Sequence, residues 1–115
     1  MKPYFYNCEV IRVIDGDTLV ADIDVGFNIW LRNQRIRFYG VNTPEIKGEE
    51  REDGLISKDF VSRMIADRKV MLHVIDKSDK YGRVLADVYV KGDAKQFVNL
   101  NKLLVFKGLA KEYLL

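Results

Sequence analysis

The chain has 115 residues, of which 48% are hydrophobic and 31% charged, with a formal net charge of +2. That length suits one domain (residues 1–115) around one core, and the balance excludes a disordered polymer. One cysteine, Cys8, excludes an internal disulfide or a multi-cysteine metal centre, one histidine, His73, excludes a histidine-rich one, and +2 is too small to imply nucleic acid by itself. Cys8 and His73 fall in alternating apolar runs and read as structural residues. Any catalysis must therefore use carboxylates, arginines or metal ions. No apolar run approaches the roughly 18 residues of a membrane span, so no membrane partner is expected. Residues 1–6 lack a leader-like apolar stretch, which points to the cytoplasm, or a host cytoplasm for a viral source.

Residues 7–14 are rich in β-branched side chains and read as a strand, followed by the turn signal Asp15-Gly16. Residues 18–25 alternate cleanly. Leu19, Ala21, Ile23 and Val25 share one face; Val20, Asp22 and Asp24 share the other. After a turn at 26–28, residues 29–41 form a third strand, too long to run straight, with Asn33-Gln34 as a bulge or bend. In it Ile36 and Phe38 face the core, and Arg37 and Tyr39 face away. Residues 47–54 are charged and read as a mobile loop. Residues 55–67 form a helix whose core stripe is Ile56, Phe60 and Met64, widened by Val61 and Ile65. Strands follow at 69–75 and 83–90, separated by a charged turn. Asn101 caps a second helix over 102–107, stopped by Gly108. Three strands, a helix, two strands and a helix outline an OB-fold, mainly β within the α+β class, although another five-stranded α+β arrangement fits the same pattern.

Four clusters can carry chemistry. Asp15-Gly16-Asp17-Thr18 offers two carboxylates to a hard cation, although Asp-Gly alone is simply a good turn. Arg37, on the outer face of its strand, can grip a phosphate with two parallel N–H groups. Asn42-Thr43-Pro44-Glu45 offers amide and carbonyl oxygens to calcium and a carboxylate for general base work. The turn 76–83 carries Lys80, Tyr81 and Arg83, which can hold phosphates and stack on a base. Each is weak alone. Together they supply what metal-assisted phosphodiester cleavage needs: a cation site, guanidinium groups for the charge that builds on the phosphate, and a carboxylate for water.

Ile14-Asp15-Gly16-Asp17-Thr18, then Arg37, then Gly40-Val41-Asn42-Thr43-Pro44-Glu45, then Asp79-Lys80-Tyr81-Gly82-Arg83-Val84-Leu85-Ala86, then Gly108-Leu109-Ala110, closely resemble the staphylococcal nuclease (thermonuclease-like) family. The motifs run in the family's order from about Cys8 to Lys111. The resemblance implies a five-stranded OB-fold barrel with two helices that hydrolyses single-stranded DNA or RNA with calcium and leaves 5′-hydroxyl and 3′-phosphate ends. It implies Asp17, Asn42 and the Thr43 main-chain oxygen as calcium ligands. Arg37 and Arg83 would bind the scissile phosphate, and Glu45 would be the general base. Lys80 and Tyr81 would contact the nucleotide's terminal phosphate, and Tyr113 loosely matches a substrate-stacking tyrosine. Three departures accompany it. Asn42 stands where the family has a second aspartate, with Asp15 as a nearby carboxylate. The segment 22–34 is longer, implying an extended hairpin. The sequence ends at Leu115, before the family's third helix. The alternative is a non-catalytic module of the same fold that binds nucleic acid or protein.

Overall fold

The computed structural model describes residues 4–76 and 80–113. Strand β1 spans Phe5–Asp15, β2 Thr18–Asp24 and β3 Trp30–Phe38, paired antiparallel as a meander. β5, Val70–Asp76, pairs with β1, and β6, Val84–Lys91, pairs with β5. A parallel pairing of β3 with β6 then closes β3-β2-β1-β5-β6 into a five-stranded barrel. Three short strands are added: β4, Val41–Asn42, pairs with β8, Lys111–Glu112, and β7, Phe97–Asn99, extends the edge of β6. With helices α1, Arg51–Ile65, and α2, Leu100–Phe106, this is the mainly-β, two-helix OB-like fold expected.

The interior follows from alternation. Leu19, Ala21 and Ile23 of β2, Ile36 and Phe38 of β3, Leu72 of β5, and Ala86, Val88 and Val90 of β6 point inward and form one contiguous core. Cys8 and Val61 join it, so the thiol is a core group as read. Desolvation, reinforced by the charge of Glu9, pushes that thiol up to about 12. His73 stacks on Phe5 with centroids 4.4 Å apart, a packing role. The bulge at Asn33 is present. Ala21 pairs with Gln34 but Ile23 with Leu31, so Arg32 and Asn33 share one partner, Asp22, and Asn33 takes φ +55°.

The structure corrects four readings. The expected strand over 29–41 ends at Phe38. Gly40, at φ +75°, turns the chain before β4, a conformation glycine adopts without a Cβ penalty. The segment 47–54 is not a loop throughout. A 3-10 turn covers Gly48–Glu50 and α1 begins at Arg51, with Glu52 and Asp53 in its first turn, where carboxylates favour the helix dipole. The buried stripe of α1 is Gly54, Ser57, Val61 and Ile65. Phe60 and Met64 pack at its margin, while Ile56 is 56% exposed, because small residues let the helix press close to the barrel. Finally, Asn99 caps α2, accepting from the Lys102 N–H at 3.1 Å. Asn101 is instead fully enclosed. Its Oδ1 accepts from the Val88 N–H at 2.9 Å, and its Nδ2 donates to the carbonyls of Tyr39 and Ala86 at 2.9 and 3.1 Å.

Candidate active site

The site forms where the first hairpin turn meets the chain leaving β3. The Asp17 N–H donates to Asp15 Oδ1 at 3.1 Å, an Asx-type turn between β1 and β2. Asp17 is 7% exposed. Its Oδ2 accepts from the Thr43 N–H at 3.0 Å and its Oδ1 from the Thr18 hydroxyl at 3.1 Å, and its main-chain carbonyl accepts from the Phe38 N–H at 2.8 Å. One aspartate thus ties the first turn to both sides of the Gly40 break. Gly16 allows the approach: a Cβ there would lie 2.8 Å from both Thr43 Cγ2 and Ser57 Cβ. Ser57 holds the third wall by donating to the Leu109 carbonyl at 2.7 Å.

Burial raises Asp15, and the hydrogen bond with and charge of Asp17 raise it further, to about 6. For Asp17, burial pushes upward, but its hydrogen bonds to Asp15 and Thr43 and the Arg37 guanidinium outweigh that and hold it below the usual carboxylate range. The pair is therefore asymmetric, with Asp17 the carboxylate that stays ionised.

Arg37 leaves the outer face of β3 toward this pair. One terminal nitrogen, Nη1, donates to the Phe38 carbonyl at 2.8 Å; the other, Nη2, donates to Asn42 Oδ1 at 3.2 Å and sits 3.5 Å from Asp17 Oδ2. Asn42 is exposed and Thr43 is 5% exposed. The Thr43 hydroxyl is buried with no hydrogen-bond partner among the described residues. Glu45 is exposed; its N–H donates to Glu50 Oε1 at 3.3 Å, and its carbonyl packs against Gly54 of α1, where no Cβ fits. Across the barrel seam, Lys80 and Arg83 place their cationic ends 5.1 and 5.0 Å from the centroid of the Tyr81 ring, itself 67% exposed. The Tyr113 N–H donates to the Gly40 carbonyl at 2.8 Å.

Eight of the nine candidate residues, Asp17, Arg37, Asn42, Glu45, Lys80, Tyr81, Arg83 and Tyr113, line one open cleft of about 740 Å³. Thr43 lines the adjoining groove together with Asn42 and Glu45. Asp79 of the fourth motif lies outside the described residues. Sequence reasoning left Asp15 out of the ligand set, but it lines the cleft. It also missed the supports Gly16, Gly54, Ser57 and Asn101. Gly16 carries a signal in the Asp-Gly turn; Gly54 falls in the segment that reads as a loop, Ser57 lies in the expected helix outside its apolar stripe, and Asn101 reads as a cap.

A family profile described as "Staphylococcal nuclease homologue" matches residues 35–115. The chain belongs to the staphylococcal nuclease family. It is 37% identical over 108 residues to a thermonuclease of Staphylococcus hyicus, covering 90% of this chain and 57% of the relative. A thermonuclease of Staphylococcus intermedius is 36% identical over 106 residues, 89% of this chain and 56% of its own. An uncharacterised protein of Methanocaldococcus jannaschii is 29% identical over 132 residues, 95% of this chain and 60% of its own. The chain thus spans between 56% and 60% of the length of these curated relatives.

The donors around Asp17 suit a hard cation by type. The oxygens at hand are the Asp15 and Asp17 carboxylates, the Asn42 amide oxygen and the Thr43 carbonyl, with no sulfur or imidazole near them. The buried, unpartnered Thr43 hydroxyl adds an oxygen beside them. Asp15, Asp17 and Glu45 all line the cleft, but among the described residues no three or more His, Cys, Asp or Glu side chains are grouped so as to hold one metal ion.

Proposed function

We propose that the chain is a calcium-dependent phosphodiesterase. In this reading it hydrolyses single-stranded DNA or RNA with low sequence specificity and leaves 5′-hydroxyl and 3′-phosphate ends. The observation that carries the proposal is the convergence of Arg37, Arg83, Glu45 and Asp17 on one solvent-open cleft. Asp17, Asn42 and the Thr43 carbonyl, with Asp15 close by, would hold calcium, which would supply positive charge to offset that of the phosphate. Arg37 and Arg83 take the non-bridging oxygens with charge-assisted hydrogen bonds that strengthen as charge builds there. Glu45, on an open loop, orients a water and accepts its proton as the water oxygen bonds to phosphorus. The bond from phosphorus to the 5′-oxygen breaks, and that oxygen takes a proton from solvent. Lys80 and Tyr81 hold the neighbouring terminal phosphate, and Tyr113 gives a base a flat apolar surface. Low specificity follows because the charged groups address phosphate, which every nucleotide carries.

Arg37 is already engaged with Asn42 and the Phe38 carbonyl. That bond favours a second reading, a binding module that holds nucleic acid or protein without cleaving it. The two separate on one experiment. Labelled single-stranded DNA and RNA are incubated with calcium, with manganese and with a chelator, using wild type, Glu45→Gln and Arg37→Ala. Calcium-dependent cleavage that disappears in both variants supports the enzyme. Binding without cleavage in either metal leaves the module.

A further inference from the structure

The outer face of the barrel continues past the cleft. Ile36 and Phe38 point into the core, so Arg35 and Arg37 point outward on the same face of β3. Arg37 pairs with Thr18. Arg35 pairs with Val20, which on its other side pairs with Arg12. One rung away from Arg37, the sheet therefore reads Arg12–Val20–Arg35. Both arginines are exposed. Among the described residues neither has an ion-pair or side-chain hydrogen-bond partner, whereas Arg32, Arg63 and Arg68 each have a carboxylate. Val20 faces outward between them yet is 2% exposed, in register with an arginine stem on either side. On its far flank Arg35 precedes Ile36 as Arg83 precedes Val84, and Ile36 and Val84 are paired in parallel. The following rung is acidic. Glu9 lies opposite Asp22, whose carboxylate is held by Arg32 and the Asn33 N–H.

We infer that Arg12 and Arg35 form a second phosphate-binding subsite, for the phosphodiester next to the one cleaved, and that the Glu9–Asp22 rung ends the footprint there. The inference rests on the nuclease reading of the cleft. Two residues along a strand span about 6.7 Å, a step that suits successive phosphates of an extended polynucleotide. Arg12 and Arg35 are two strand spacings apart, about 10 Å between backbones, and both side chains are long enough to converge over Val20 on one anion. Without an anion their like charges repel; a phosphate between them converts that repulsion into two charge-assisted contacts. Beyond them, Glu9 adds an exposed negative charge and the Arg32 guanidinium is taken by Asp22, so that rung disfavours a further phosphate.

The test uses the double variant Arg12→Gln/Arg35→Gln, since glutamine keeps part of the stem over Val20. Octathymidylate and a thymidine dinucleotide with one phosphodiester are each titrated in chelator at several salt concentrations. We expect octamer affinity to fall roughly tenfold, dinucleotide affinity to fall far less, and the salt slope for the octamer to drop by about 0.7, the value of one phosphate contact on a single strand. Equal losses on both probes, or no loss on either, overturn the subsite while leaving cleavage by the wild type to stand. A wild type that binds neither probe in chelator and cleaves neither once calcium is supplied overturns the nuclease reading itself. Should the glutamine pair melt early, Arg12→Lys/Arg35→Lys carries the test. Keeping the charge but not the planar fork, it should retain the octamer salt slope while binding less tightly. An octamer affinity equal to wild type in that variant contradicts the forked contact.

Discussion

At the residue scale, Asn42 separates the proposed metal site from the family pattern. Its amide oxygen keeps a ligand but not a charge, and that oxygen is taken by Arg37. Asn42→Asp adds a carboxylate beside Asp17 and should tighten calcium binding by at least several-fold in isothermal titration calorimetry. An unchanged constant would remove residue 42 from the ligand set. Glu45 depends on a different contact, the close approach of Gly54 to its carbonyl. Gly54→Ala must push α1 off the loop that carries Glu45. Overpacking of this kind costs roughly 1–3 kcal/mol, which thermal denaturation will show as a lowered midpoint. Because the displaced element carries the proposed base, cleavage should fall more than the folded fraction does; activity that tracks the folded fraction would separate the helix contact from catalysis.

At the element scale, the β2–β3 hairpin is held by one carboxylate. Asp22 accepts from the Asn33 N–H at 2.8 Å and from Arg32 at 2.9 Å, so the bulge residue at φ +55° and its neighbour lean on the same group. These partners, the Asn33 N–H first and then the Arg32 side chain, hold the Asp22 carboxyl below its ordinary 3.8. A group with a depressed folded value contributes stability above its unfolded value and loses it as pH falls through the folded one. The melting temperature of the wild type should therefore decline below about pH 4 more steeply than that of Asp22→Asn, which cannot titrate, with parallel curves at neutral pH. Superimposable acid limbs would show that the pair carries no linked stability. The hairpin also shows what was legible in the sequence. Period-two alternation located the barrel strands, and a polar pair inside the third located its bulge, because both signals are local. The short strands β4, β7 and β8 left no such trace; two or three residues pair there only because the barrel brings them together. The α1 stripe was legible only in part for a related reason: Val61 and Ile65 are buried as read, but Gly54 and Ser57 complete the buried face in place of Ile56, since close approach there outweighs hydrophobicity.

At the scale of the whole molecule, the cleft exists because separate parts of the chain are pinned at the point where β3 leaves the barrel. Motif order in the sequence indicated which residues meet, but not what holds them. Asp17 ties the first turn to Thr43 and Phe38 from one side. Asn101 does so from the other: it reads as a helix cap in the sequence, yet it bonds both main-chain groups of β6 within its reach and the Tyr39 carbonyl just before the Gly40 turn. Asn101→Leu, close in size, should leave the Val88 N–H and the Tyr39 carbonyl without these partners inside the fold, while the Ala86 carbonyl keeps the Tyr39 N–H at 2.9 Å. A buried group left unsatisfied costs about 1–3 kcal/mol, so the variant should lose at least about 2 kcal/mol in urea unfolding even though a hydrophobic side chain replaces a polar one. Asn101→Ala adds a cavity to the same loss and should be worse still. The two variants separate packing from hydrogen bonding. If leucine restored wild-type stability while alanine did not, Asn101 would be a space-filling residue, and the pin on the Gly40 turn would have to come from Asp17 alone.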